Sequence, residues 1–411
     1  VSVFEVIALL LTLTALFSYA NYRFIKLPTT IGVMLIALVG SLTLISLQHF
    51  GFDIAPMAAR VLQVVDFNQT LLQGMLSFLL FAGALHINLN DLAEQKWVIT
   101  VLALVGVLIS TFVFGTAIYL VFAWLNLKLS YAWALLFGAL ISPTDPIAVL
   151  GILKTANVPK SLEIQIAGES LFNDGVGIAV FVVLHEITVR GDQPSLSHIS
   201  GIFLQEAVGG AVIGLSLGWV AYRLLKSVDH YQVEILLTLA LVTGGYALAS
   251  ALHTSGPIAI VCAGVLIGNH GRRLAMSDTT REHLDTFWEL VDEILNALLF
   301  VLIGLEVLVL TFTRELLFAG LLAIPAMLLA RWMSVGTPVL MMSIWHKFPT
   351  GAVTTMTWGG LRGGISVALA LSLRAGSKRE LVLTTTYVLV IFSILVQGLT
   401  IKQVVRRAMR L

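Results

Sequence analysis

Apolar runs about as long as the roughly 20-residue helix needed to cross hydrocarbon recur along the whole chain. Thirteen are read, at 3–22, 27–48, 70–88, 96–125, 130–153, 161–185, 198–224, 231–251, 254–269, 286–310, 315–345, 350–373 and 380–401. No stretch between them is long or polar enough to fold as a separate soluble domain, so 1–411 reads as a single membrane domain. Alternating barrel strands are excluded, because the runs are too long and too uniformly apolar. The expected fold is an all-α polytopic membrane protein with about thirteen transmembrane helices.

Two runs carry helix-breaking residues at mid-depth. Span five reads Ser142-Pro143-Thr144-Asp145-Pro146, and span twelve reads Gly359-Gly360-Leu361-Arg362-Gly363-Gly364. Proline removes a backbone donor and glycine loosens the helix, so both spans should unwind near the membrane centre. Lying seven apart, they cross in opposite directions. That suits two inverted six-helix repeats, 1–188 and 231–402, joined by a linker helix at 198–225. Interrupted helices at corresponding positions point to a transporter's binding site.

Composition narrows the class. Hydrophobic residues make up 58% and charged residues 11%, with a mean hydropathy of +0.96; soluble domains carry about a quarter charged residues. Lys+Arg at 24 against Asp+Glu at 23, with no basic stripe, gives no sign of a nucleic-acid partner. Cys262, the one cysteine, can form neither an intrachain disulfide nor a thiolate metal cluster. No signal-peptide pattern opens the sequence, and the missing initiator methionine suggests trimming. Fifteen Lys and Arg, among them Arg23, Lys154, Arg272, Arg273 and Arg410, fall on one side of the spans; seven, among them Arg60, Arg314 and Arg379, fall on the other. The richer side, with the C-terminus, should be cytoplasmic and the N-terminus outside. Trp97, Trp124, Trp133, Trp288 and Trp345 lie near expected span ends, where amphipathic rings prefer to sit.

An ionisable side chain at the bilayer centre costs about 2.5–3.5 kcal/mol on insertion scales, so it needs a partner or a task. Span six holds the densest group, Gly168-Glu169-Ser170-Leu171-Phe172-Asn173-Asp174-Gly175. On a helix Ser170 and Asp174 stack about 6 Å apart along one stripe. Glu169 and Asn173 form the next, turned by about 100°. These hard oxygens suit an alkali cation or a proton better than a transition metal. A purely structural polar patch would account for Ser170 or Asn173 alone, but a carboxylate at 174 between apolar runs reads as functional. The unwound centre of span five would free carbonyls, that of Thr144 included, while Asp145 would either bind the ion or cap a half-helix. Arg331 is too deep to reach an interface and needs an anion, with Glu169 the preferred partner. Arg362 needs Asp145, a carbonyl or a helix C-terminal end. Asp145, Glu169 and Asp174 against Arg331 and Arg362 leave a net charge of −1. One proton or one monovalent cation cancels it, but not both, which is the condition for one-for-one exchange.

Other polar residues carry less. Glu5, Glu206, Glu234 and Glu306 lie alone or near span ends. Asp292 and Glu293 open the apolar part of span ten and could line a cytoplasmic funnel. His86 and His253 lack neighbours at ligand spacing, and His86 could at most titrate as a sensor.

Together Ser142–Pro146, Gly168–Gly175 and Gly360-Leu361-Arg362-Gly363-Gly364-Ile365-Ser366 resemble the signatures of monovalent cation–proton antiporters, in the NhaP branch related to eukaryotic sodium/hydrogen exchangers. The resemblance covers essentially the whole chain. It implies a homodimer of thirteen-helix subunits, with one bundle for dimer contact and one for transport. It also implies a role in pH homeostasis. Asp174 would be the carboxylate shared by cation and proton, assisted by Ser170 and the Thr144 backbone. Glu169 and Asn173 would stabilise the unwound region, with Glu169 facing Arg331. Electrogenic relatives carry aspartate before the key aspartate, so Asn173 resembles the electroneutral branch, as the charge count does. Some relatives place an acid in span three, and none lies between Gln69 and Asn88.

The expected activity is secondary active exchange of Na⁺ (or Li⁺) for H⁺ in a cell membrane, with no cofactor and with membrane lipid as the surroundings. The same fold could instead move K⁺. A cation channel is a further reading, opposed by the absence of a repeated carbonyl ring. An intramembrane aspartyl protease built on Asp145 and Asp174 is another, opposed by the two arginines in the same layer and the lack of a Gly-x-Gly-Asp motif.

Overall fold

The computed structural model describes residues 3–48, 74–145, 149–150, 153, 158–190, 196–310 and 313–409. Pro146, Gln69, Arg60, Lys154 and Arg410, used above, lie outside the described residues. Each of the thirteen expected segments holds helix. In chain order these are α1 (Val3–Ala20), α2 (Thr29–Gln48), α3 (Leu76–Leu85), the short α4 (Leu89–Glu94), α5 (Lys96–Trp124), α6 (Tyr131–Ile141), α7 (Lys160–Arg190), α8 (Leu196–Leu204) and α9 (Gly210–Leu225). The second half holds α10 (Tyr231–Ala251), α11 (Gly256–Leu266), the single turn α12 (Arg272–Leu274), α13 (Asp278–Glu306), α14 (Arg314–Met342), α15 (Ala352–Gly359), α16 (Gly364–Leu371), α17 (Ser377–Phe392) and α18 (Gly398–Met409). Wider π turns join α8 to α9 and α17 to α18. Among the described residues no strand is present beyond one antiparallel bridge between Asp145 and Leu361.

The solvent for this fold is lipid, and the helix surfaces show it. Phe4, Leu120, Leu340 and Ile344 are exposed, while Gln165, Glu169, Thr355, Arg362 and Thr385 are buried. Among the described residues, eight helical segments are long and apolar enough to cross a membrane. The shorter α3, α6 and α11 complete the packing.

Helix contacts fall into two bundles. In one, α5 packs on α6, α7 and α14, while α14 also meets α15 and α17, and α15 meets α18. In the other, α11 packs on α3, α9 and α10, while α13 meets α1, α2, α3 and α10. Between the bundles runs a seam where α7 touches α3 and α11, α13 touches α16, and the π turn Ser393–Gln397 touches α2.

One boundary moves in a way that matters. The hydrophobic run predicts a start at 286, but α13 begins at Asp278, capped by the Ser277 hydroxyl accepting from the Thr280 amide. Its first turns are amphipathic, so charged residues hid them from a reading based on apolar runs. Trp288 therefore sits within the helix rather than at an interface. It is fully buried, rings packed with Phe81 and Phe287, its indole N–H donated to Thr238 Oγ1 at 3.1 Å. Trp97, Trp124 and Trp345 are exposed at helix ends, as expected.

Candidate functional site

α6 stops at Ser142 because Pro143 follows, and the Ser142 hydroxyl turns back to the Gly138 carbonyl at 2.8 Å. The chain is then non-helical through Thr144 to Asp145. The α15–α16 connection Gly360–Gly363 is likewise non-helical. The two unwound segments cross, and the Asp145 amide donates to the Leu361 carbonyl at 2.8 Å.

Charges complete the crossing. Nη1 of Arg362 donates to the Ser142 and Pro143 carbonyls at 2.8 and 3.0 Å, placing a cation at the carbonyl end of α6. The Asp145 carboxylate lies against Gly363, the residue capping the N-terminus of α16; a Cβ there would come within 2.5 Å of Oδ2. Each half-helix dipole thus meets the opposite charge, supplied by the other broken span. For Arg362 the carbonyl and helix-end partners are the ones found. For Asp145 this placement favours capping over direct ion binding.

On α7 the polar stripes face this crossing. Asn173 uses its whole amide: Nδ2 donates to Thr144 Oγ1 at 2.8 Å and to Glu169 Oε1 at 2.9 Å, while Oδ1 accepts from the Thr144 amide at 3.3 Å. The Ser170 hydroxyl donates to the Thr144 carbonyl. Glu169 receives both terminal nitrogens of Arg331, each at 2.7 Å, in a buried bidentate pair. The remaining nitrogen, Nε, donates to the Met356 carbonyl at 3.3 Å.

Asp174 is different. It is buried, only 6% exposed, and its Oδ1 has no hydrogen-bond partner among the described residues. The carboxylates of Asp145 and Glu169 are close enough to act on it electrostatically, whereas the two arginines are committed to Glu169 and to the α6 carbonyls. The geometry therefore gathers Thr144, Asp145, Glu169, Ser170, Asn173, Asp174, Arg331 and Arg362 at one crossing. It leaves one carboxylate oxygen there unsatisfied.

The profile described as sodium/hydrogen exchanger, transmembrane, matches residues 11–407. The chain is 50% identical over 408 residues to the Na⁺/H⁺ antiporter NhaP of Pseudomonas aeruginosa, covering 98% of this chain and 96% of that protein. It is 34% identical over 396 residues to the Na⁺/H⁺ antiporter NhaH of Halobacillus dabanensis, covering 94% and 93%. The chain belongs to the sodium/hydrogen exchanger family. Its fold is also that of the sodium proton antiporter MjNhaP1 from Methanocaldococcus jannaschii, with a TM-score of 0.78 at 19% identity over 98% of this chain and 97% of that one.

Within this exchanger fold, three polar side chains hold the breaks that sequence reasoning gave no role, Ser366 among them although it closes the third motif. Ser366 donates to the Leu140 carbonyl at 2.9 Å, bracing α6 from α16. Ser393 and Gln397 grip the other break. The signal that flagged span six, polar residues four apart in an apolar run, is present at 393 and 397 as well. Without a carboxylate beside them it went unread. Outside the crossing, Glu234 is buried and bonded to the His230 amide and to Thr280 Oγ1, a structural role.

Proposed function

We propose that this protein is a secondary active antiporter that exchanges Na⁺ (or Li⁺) for H⁺ one for one by alternating access. The observation that carries the reading is the Oδ1 of buried Asp174, which has no hydrogen-bond partner among the described residues and lies one helical turn from Ser170, while both arginines are bonded elsewhere. Deprotonated, Asp174 gives the crossing a net charge of −1 and binds a monovalent cation with oxygens from Ser170 and Thr144. Protonated, it releases the cation and returns neutral. Either loaded form can cross hydrocarbon without an unpaired charge, while the empty ionised form cannot. Asp145 completes the electrostatics of the site, and Glu169, Asn173, Arg331 and Arg362 hold its shape.

The bundle containing α5, α6, α7 and α14–α18 would carry the site past the other along the seam. We read 1–188 and 231–402 as inverted repeats around a linker helix, the protein as a homodimer in the cell membrane, and the C-terminus as cytoplasmic. Family membership and two Na⁺/H⁺ antiporters as relatives favour transport over a conductance or a peptidase.

The test is exchange in proteoliposomes with Na⁺, Li⁺ and K⁺ offered in turn, at fixed ion gradients and varied membrane potential. Sodium- or lithium-driven proton movement, indifferent to potential, is expected. Exchange with K⁺ alone moves the assignment to the K⁺/H⁺ reading, and a steep response to potential overturns the one-for-one stoichiometry.

A further inference from the structure

Where a helix unwinds in a membrane, each backbone group it releases must find another partner. For the break between α15 and α16, most of those partners belong to elements already described. The Met356 carbonyl meets Arg331, the Gly359 carbonyl accepts from the Leu361 amide at 2.9 Å, and the Leu361 carbonyl accepts from Asp145. The two groups on the rims of the break go elsewhere. Gln397 Nε2 donates to the Trp358 carbonyl at 3.2 Å, and the Arg362 amide donates to Ser393 Oγ at 2.9 Å. Ser393 in turn donates its hydroxyl to Gln397 Oε1 at 2.8 Å, so the two act as one clamp. Both side chains are buried. They are the first and last residues of the π turn Ser393–Gln397, where the wider turn brings positions four apart closer to register.

We propose that Ser393 and Gln397 are positioning residues for cation binding. Pinning Trp358 and Arg362 fixes the Leu361 carbonyl and the Arg362 guanidinium between them. Those two groups hold the Asp145 amide and the Ser142 and Pro143 carbonyls, and so place Thr144 against Ser170 and Asn173, on the helix that carries Asp174. A cation needs several oxygens at fixed separations, whereas a proton needs only the Asp174 carboxylate. A slack clamp therefore weakens the cation and spares the proton. This inference rests on the antiport reading above.

The experiment compares wild type, Gln397→Leu, Ser393→Ala and Ser393→Thr as full-length protein in proteoliposomes, with Na⁺ binding to the purified protein measured calorimetrically. Gln397→Leu and Ser393→Ala are expected to raise the KM and Kd for Na⁺ roughly tenfold with Vmax within about twofold of wild type. At a fixed Na⁺ concentration the acid limb of their activity profile moves to higher pH, because protons displace a weaker-bound cation more readily. Ser393→Thr, which keeps the hydroxyl, is expected to restore KM. Unchanged KM and Kd in folded protein, or a fall in Vmax alone, overturns the proposal. Should Gln397→Leu fail to fold, the alanine–threonine pair at 393 decides. Wild-type protein without Na⁺-driven proton exchange refutes the antiport reading itself, whatever the variants do.

Discussion

The two broken helices are built alike and end differently. Each is gripped by the helix that follows it, through a hydroxyl and an amide: Ser170 and Asn173 of α7 hold Thr144, and Ser393 and Gln397 hold Trp358 and Arg362. Each break also lends a charge to the other, Arg362 to the end of α6 and Asp145 to the start of α16. The contrast lies one residue further on. Asn173 is followed by Asp174 and Gln397 by Gly398. Unwound backbone and polar clamps are thus common to both crossings, and what separates a proposed ion site from an anchor is a single carboxylate without a counter-charge.

The severest test of that contrast is Asp174→Asn. Exchange should vanish, with folded protein recovered at the wild-type level, since the amide keeps the shape and loses the charge; wild-type-like exchange in vesicles would remove the central assignment. Glu169→Ala should instead act on stability. It strands the Arg331 guanidinium in a buried site, a loss of about 3–5 kcal/mol when one partner of a buried pair is removed. A thermal melt in detergent should fall far more for this variant than for Asp174→Asn. The reverse order would mean that the salt bridge contributes little and that Asp174 is the structural acid.

Next come parallel changes in the two clamps. In α7, Asn173→Asp removes the donors to Thr144 Oγ1 and Glu169 Oε1 and sets a carboxylate beside a carboxylate. Its KM for Na⁺ should rise by roughly tenfold to a hundredfold, the scale of losing hydrogen bonds to a charged group. At the other break, Gln397→Glu removes the donor to Trp358, yet Ser393 can still donate to the new carboxylate and, among the described residues, no acid is bonded to Gln397. A rise of only a few-fold is expected, on the order of one neutral hydrogen bond. Equal effects would show that the clamps matter to the same degree and that the charge beside Asn173 is incidental.

Much of this architecture was legible because the bilayer makes the code simple. Apolar length marked the helices, proline and glycine marked the breaks, and every mid-membrane charge demanded a partner. Arg331 could be paired with Glu169 for that reason alone. What stayed hidden is instructive too. The first two turns of α13 were lost because amphipathic sequence outside the apolar run looks like a loop, and Trp288 was misplaced with them. Between capping and binding, Asp145 could not be decided from sequence, since the answer depends on Gly363 lying beside its carboxylate across 218 residues of chain. The clamp at Ser393 and Gln397 was silent because neutral polar residues in membrane helices often do no more than bridge neighbours.

The smallest effect in the comparison belongs to the glycines that follow each clamp. Gly175 faces Ile258 of α11, and a Cβ there would stand 2.6 Å from Cγ1; Gly398 faces Ile31 of α2, and a Cβ would stand 3.0 Å from Cδ1. Both contacts lie on the seam along which the proposed transport bundle moves. Gly175→Ala pushes on an atom near the Ile258 backbone and sits next to Asp174, so it should disturb both KM and Vmax. Gly398→Ala meets the free end of a flexible side chain and lies far along the chain from the carboxylate. It should lower Vmax by roughly twofold with KM untouched, a mild overpacking of a sliding surface. Side-by-side kinetics of the two alanine variants would read the contrast directly. A KM change at Gly398→Ala as large as at Gly175→Ala would mean that the anchor side of the crossing takes part in cation binding, and that the two breaks are closer in role than the lone carboxylate suggests.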